Sequence, residues 1–288
     1  MDMEVSQNPY VRPVYSTVEV SGLAGTYTFL HITDMHVCAW QDVSPERREA
    51  CRIREEHFSG EGMTSRERMP HLFAYGEAIR VDRMLLTGDM IDFPSPSGVA
   101  ALKDCILRCT VPSVYAVGNH DWSYADDYIS PYARAHYLPQ LEDISGGCTD
   151  FHYEEVGELI VAAMDNALDR VSDRAMEGFS AVCRMGKPVI LIMHIPLTMD
   201  SLHGPTAAMW GRDICMGPGG VGYDREGEEN VRRLYRMVAL EPSPVVAVVA
   251  GHIHFGHEDT LPNGVPQLVT ELAARNGACR VITVKGKA

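Results

Sequence analysis

Five short apolar segments of this chain each run out into a histidine, aspartate or asparagine, and this repeated ending restricts the fold more than any other feature. The pattern predicts strands over Thr26–Ile32, Arg83–Leu86, Ser113–Val117, Pro188–Met193 and Val245–Ala250. Just beyond them stand, in the same order, Asp34 and His36, Asp89, Asn119 and His120, His194, and His252 and His254. Segments of helical spacing lie between, at His71–Val81, Val99–Arg108, Asp173–Met185 and Glu228–Leu240. A hairpin is predicted from Phe151–Val156 and Leu159–Met164, and further strands at Val265–Thr270 and Ala278–Val284. Strands alternating with helices predict a mixed α/β domain. In open α/β sheets ligands bind in the crevice beyond the carboxyl ends of the strands, which is where these polar residues fall.

The residue types narrow the chemistry. Asp34 and Asp89 offer carboxylates, Asn119 an amide oxygen, and His36, His194, His252 and His254 imidazoles, with no cysteine in the set. Oxygen and nitrogen donors of this kind suit divalent Mn, Fe, Zn, Ni or Co. Seven ligands exceed one site and suit two neighbouring ones, with a carboxylate shared. Two metals about 3.5–4 Å apart can clamp a phosphate while one of them acidifies a bound water. The Asp34-x-His36 and His252-x-His254 spacing is what an extended segment needs to project both residues to one side.

Taken in order, Asp34-Met35-His36, Gly88-Asp89-Met90-Ile91-Asp92, Gly118-Asn119-His120-Asp121, His194 and Gly251-His252-Ile253-His254 span most of the chain. This series resembles the motifs of the calcineurin-like metallophosphoesterase superfamily. The resemblance implies an α/β fold, a four-layer αββα sandwich of two mixed β-sheets flanked by helices, with a dimetal site at the C-terminal ends of the strands. It implies that Asp34, His36 and His254 bind one divalent ion, that Asn119, His194 and His252 bind a second, and that Asp89 bridges the two. A bridging hydroxide would attack phosphorus in line. His120 would stabilise charge and protonate the leaving oxygen, and Asp92 would hydrogen-bond His120 and favour its cationic form. Asp121 reads as a helix cap for the segment that follows.

Departures from subgroup patterns narrow the implied activity. Purple acid phosphatases carry a tyrosine ligand where this chain has Asp92. Protein Ser/Thr phosphatases read G-D-x-V-D-R-G and G-N-H-E, whereas Phe93-Pro94 follow Asp92 here and Asp121 follows His120. Both differences point towards a hydrolase of phosphodiesters or small phosphorylated metabolites, with diesters preferred over monoesters. The alternatives are a catalytically silent metal-binding scaffold on the same fold, and a nuclease.

Composition sets the remaining expectations. The 288 residues, 45% of them hydrophobic, suit a single domain over 1–288. With 25 Lys+Arg against 39 Asp+Glu the net charge is −14, which argues against extended nucleic acid as a partner and leaves a small phosphate ester. No apolar run approaches a membrane span, and Met1–Tyr10 lacks the basic and apolar regions of a secretory signal. Eight cysteines without a C-x-x-C pair read as reduced thiols, hence a cytoplasmic protein. The sequence assigns no oligomeric state. The glycine-rich segment Thr198–Gly227 reads first as a structural loop and second as a flap over the site. The alternating charges of Pro45–Arg68 read as a solvated helical face rather than a cleft wall. Trp122 is expected in the core, and His203 and His257 as bystanders.

Overall fold

Leu159–Met164, Val189–Met193 and Val245–Ala250 are apolar at every position. Such runs suit parallel strands covered on both faces, and in the computed structural model, which describes residues 8–128 and 130–287, they lie side by side in one sheet. Residues 1–7, part of the segment read for a secretory signal, fall outside that description. In chain order the strands are β1 (Arg12–Val20), β2 (Thr26–Ile32), β3 (Arg83–Leu86), β4 (Ser113–Tyr115), β5 (Phe151–Val156), β6 (Leu159–Met164), β7 (Val189–Met193), β8 (Val245–Ala250), β9 (His257–Thr260), β10 (Pro266–Val269) and β11 (Ala278–Gly286). The α-helices are α1 (Pro45–Phe58), α2 (Ser65–Ala78), α3 (Pro96–Arg108), α4 (Pro131–Tyr137), α5 (Asp173–Cys183), α6 (Asp200–Trp210) and α7 (Glu229–Tyr235).

One sheet has the order β1-β11-β2-β3-β4 and the other β5-β6-β7-β8-β10-β9. Both are mixed. In the first, β2, β3 and β4 are parallel and β11 runs antiparallel to β2; in the second, β6, β7, β8 and β10 are parallel and flanked by antiparallel β5 and β9. The two sheets pack face to face through Phe29, Leu85 and Val114 on one side and Val161, Ile190 and Val249 on the other. Leu72 and Phe73 of α2 and Leu102 of α3 cover the outer face of the first sheet against Leu30, Met84 and Leu86. Met176 and Phe179 of α5 and Leu234 of α7 cover the second against Ile160, Leu191 and Val248. The layers are therefore α/β/β/α. Each fully buried side chain of this size contributes roughly 1.5–3 kcal/mol of transfer free energy, and the three apolar interfaces orient both sheets with their parallel strands ending at one rim.

Several local expectations need correction. The edge strands β1 and β9 are additional to the predicted ones: Val14 and Tyr15 of β1 are both exposed, its alternation being confined to residues 16–20, and β9 is the polar run His257–Thr260. Helix α2 begins at Ser65 rather than His71, because Thr64 and Glu67 form a reciprocal capping box. The segment Thr198–Gly227 is not a continuous loop: it contains α6, which ends at Gly211 in the left-handed conformation. Among the described residues no helix is long and apolar enough to cross a membrane.

Candidate metal centre

The loops leaving β2, β3, β7 and β8 are tied to one another by backbone hydrogen bonds. Asp34 N–H donates to the Gly88 carbonyl at 3.1 Å, His36 N–H to Asp89 at 2.8 Å, and Gly251 N–H to His194 at 3.0 Å. Glycines permit this closeness. A side chain at Gly118 would collide with the amide and carboxylate of Asp89, and one at Gly251 with Thr33 and the Asp34 carboxylate. The expected extended geometry of the Asp-x-His and His-x-His segments is not observed. Asp34, His36, Asp89, His252 and His254 all have left-handed backbones, with φ of 50°, 42°, 49°, 70° and 64°. Each such residue costs of order 1–3 kcal/mol and persists where its surroundings over-determine it, a pattern concentrated at functional sites.

Two main groups of donors result, and His120 lies close to His36 and Asp89 in a third that overlaps both. In one, Asp34, His36 and His254 converge: the Nε2 atoms of the two histidines face each other at 3.2 Å, and His254 Nε2 lies 3.3 Å from Asp34 Oδ1. In the other, Asp89, His194 and His252 converge: His252 Nδ1 faces His194 Nε2 at 3.1 Å, and Asp89 Oδ2 lies 3.2 Å from His194 Nε2. That same Asp89 oxygen is 3.8 Å from His36 Nε2, so it stands between the groups. His36 Nδ1 is held by the Asp92 carboxylate at 2.8 Å and His194 Nδ1 by the Thr87 carbonyl at 2.7 Å. These bonds put the proton on Nδ1 of each ring and leave each Nε2 lone pair bare. Asp34 Oδ1 and Asn119 Oδ1 are buried without any hydrogen-bond partner, while Asn119 turns its amide N–H to Tyr128 Oη at 2.6 Å. Orphaned buried oxygens, with imidazole nitrogens turned towards one another beside them, are costly unless a cation sits among them. The oxygen and nitrogen donors fit two divalent ions.

The electrostatics carry the same sign. Burial would raise the Asp34 and Asp89 carboxyls, yet the neighbouring histidines hold both well below the ordinary carboxylate range, His254 and His194 for Asp34, His194 and His120 for Asp89. Burial would lower His194, but Asp89 and Asp34 lift it to about 10. Burial takes His36 down to about 4, and burial with the His194 charge takes His252 to about 3. The upward pull of Asp89 and Asp34 on His194 marks a site whose buried carboxylates call for positive charge, which a cation among the donors would supply with His194 Nε2 deprotonated.

Around the donors, several expectations change. Asp92 does not spend its carboxylate on His120. Arg54 takes it in a two-pronged contact at 2.6 and 2.7 Å, and His36 takes it at 2.8 Å. His120 Nδ1 instead sits 3.1 Å from the Asp92 carbonyl, with the carboxylate 3.4 Å off. The Pro45–Arg68 stretch is more than a solvated face, because α1 delivers both Arg54 and Phe58, whose ring stacks on His36 at 3.9 Å. Asp121 is no helix cap. It is buried and accepts from the backbone N–H groups of Gly118, Asp89 and Ile91 at 2.7, 2.9 and 3.0 Å, and burial with the Asp89 charge raises it to about 7. Trp122 is buried in the core, as expected. His203 contacts Asp213 and His257 lies on β9, both outside the donor groups. The cleft over the donors encloses about 330 Å³, and Trp210 and Arg212 from the glycine-rich segment line it with Tyr128 and Arg54. Arg54, Phe58 and Tyr128 escaped the sequence reading, since nothing local separates Arg54 from Arg47, Arg48 and Arg52.

The profile of calcineurin-like phosphoesterases matches residues 27–256. Among solved structures, a dimetal phosphatase from Danio rerio aligns with a TM-score of 0.52 at 14% identity, covering 86% of this chain and 88% of that chain. A purple acid phosphatase from yellow lupin (Lupinus luteus) seeds aligns with a TM-score of 0.52 at 13% identity over 92% of this chain, which spans 46% of that protein. At these identities the likeness is one of fold. No curated protein matches in sequence.

Proposed function

Because the chain belongs to the calcineurin-like phosphoesterase family, we propose that it is a hydrolase of small phosphate esters that works through two divalent ions. The observation that carries this reading is the pair of donor groups meeting at Asp89, each with bare lone pairs turned inward. Asp34, His36 and His254 would hold one ion, and Asn119, His194 and His252 the other, with Asp89 available to both. Bound there, the ions supply Lewis-acid polarisation of the phosphoryl group and acidification of the attacking water. His120, a quarter exposed and 3.1 Å from the Asp92 carbonyl, faces the cleft and protonates the leaving oxygen. Asp92 acts through His36: by accepting its Nδ1 proton it fixes the tautomer that presents Nε2. The net charge of −14 favours small esters over nucleic acid, and among small esters we take diesters as the preferred class.

The test is hydrolysis by the purified protein loaded with Mn²⁺, comparing bis-p-nitrophenyl phosphate with p-nitrophenyl phosphate and using His120→Ala as the reference. Faster, His120-dependent cleavage of the diester supports the full reading. Preference for the monoester keeps the hydrolase and overturns the diester choice. Bound metal with no turnover of either ester, or of a wider ester panel, would leave a silent scaffold.

A further inference from the structure

A second cavity, of about 390 Å³, opens beside the cleft and shares Arg54, His120 and Tyr128 with it. Arg54, Asp92, His120 and Tyr128 reach this annex from the surroundings of the metal centre; none of the seven donors lines it. Its walls are Ala50 and Cys51 of α1, Phe93, and Tyr124 and Ala125 of the loop after His120. Phe93 and Tyr124 stack at 5.7 Å with their planes 23° apart, so the wall is an aromatic pair. The charges around it are matched. Arg47 pairs with Asp126 at 2.9 Å and lies over the Tyr124 ring, and Arg54 pairs with Asp92. Glu46 at the rim has no ion-pair partner among the described residues.

Resting on the hydrolase reading above, we propose that this annex is the leaving-group subsite and that it selects esters of an uncharged, mainly apolar alcohol of aromatic-ring size or larger. The argument is positional. His120 stands on the border between the two cavities, so a phosphoryl group among the metal donors that hands its leaving oxygen to His120 directs its organic part into the annex. The chemistry of the walls sets the class. Stacked rings and a cysteine reward apolar area removed from water. No unmatched cation is present to hold a second phosphate, and an unmatched Glu46 repels one. A volume near 400 Å³ is within the roughly 300–1,000 Å³ range of small-molecule sites. The two arginines of the annex, Arg47 and Arg54, are fixed by their carboxylates and act as walls.

The test measures binding by the Mn²⁺-loaded protein of two non-hydrolysable phosphonates, methylphosphonate and benzylphosphonate, by isothermal titration calorimetry. The wild type is expected to bind benzylphosphonate at least roughly tenfold more tightly, the effect of burying one aromatic ring in part. Ala50→Phe on α1 and Ala125→Phe on the segment after His120 add bulk to the annex lining at positions exposed on the surface, and each is expected to bring the ratio of the two affinities close to one. Metal-dependent binding of both ligands without preference overturns the annex and leaves the hydrolase reading intact. A preference that survives both substitutions does the same, because the ring then binds elsewhere. Absence of any metal-dependent phosphonate binding overturns the hydrolase reading, and the annex with it.

Discussion

In His36 one imidazole answers to four neighbours. Its Nδ1 meets Asp92, its Nε2 faces His254 and stands near Asp89, and its face rests on Phe58. Only the Nε2 lone pair is left for a metal, and Asp92 decides this. Asp92→Asn keeps an acceptor yet loses the charge, and is expected to weaken binding at the His36 site by about 10–100-fold while the His194 site holds, as read by metal titration. The shared position of Asp89 makes a contrasting expectation. Asp89→Asn should lower the stoichiometry at both sites, whereas His120→Ala should keep two metals per chain and lose about 10²–10⁴ in turnover. Elemental analysis beside kinetics checks the pair, and equal metal loss in both variants would refute the division of roles. At this scale much was legible: all seven donors and His120 follow apolar segments in the sequence. The partner of Asp92 was not, because Arg54 lies 38 residues away on a helix whose neighbouring arginines look the same.

Two kinds of element build the centre, and they contribute differently. The strands supply fixed ends, and the glycines let those ends interlock. Gly251→Ala would push a methyl group into Thr33 and Asp34; such overpacking costs typically about 1–3 kcal/mol, and here it displaces donors of both groups. The expected result is loss of metal binding with a folded but less stable chain, seen by metal analysis and urea unfolding. Helix α1 supplies a wall. Arg54→Gln would leave the buried Asp92 carboxylate without its cation at a cost of about 1–3 kcal/mol, reduced in part because Arg54 is 36% exposed. Its stability loss should shrink in the Asp92→Asn background, which a double-mutant cycle by denaturant unfolding would measure. The strands around the centre were legible because long apolar runs have few other solutions. The role of α1 was not, since an alternating charge pattern is the same whether a helix faces water or leans one arginine over a cleft.

Across the whole molecule the two sheets are joined behind the metal centre by His31, whose ring nitrogens lie 2.7 Å from Thr270 Oγ1 and Thr87 Oγ1. Burial, with the Arg280 charge, lowers His31 from 6.5 to about 3, so the folded protein keeps it neutral. The unfolded chain binds a proton there below about pH 6.5, and stability is therefore complete above that value and lost progressively as pH falls towards 3. Between pH 7.5 and 5.5 this one group should remove about 1.4 kcal/mol, measured as the part of the urea-unfolding pH dependence that disappears in His31→Gln. What the sequence by itself determined was the alternation of apolar strands and helices, the donors at the strand ends, and their oxygen-and-nitrogen chemistry. These are local properties: periodicity follows from backbone geometry, and donor type from the side chain alone. Only the tertiary structure decided that Asp34, His36, Asp89, His252 and His254 would adopt left-handed backbones, that Arg54 would claim Asp92, and that a second cavity would open beyond His120. Each of these depends on segments far apart in the chain being forced into contact, a balance of packing against strain that no single segment can express.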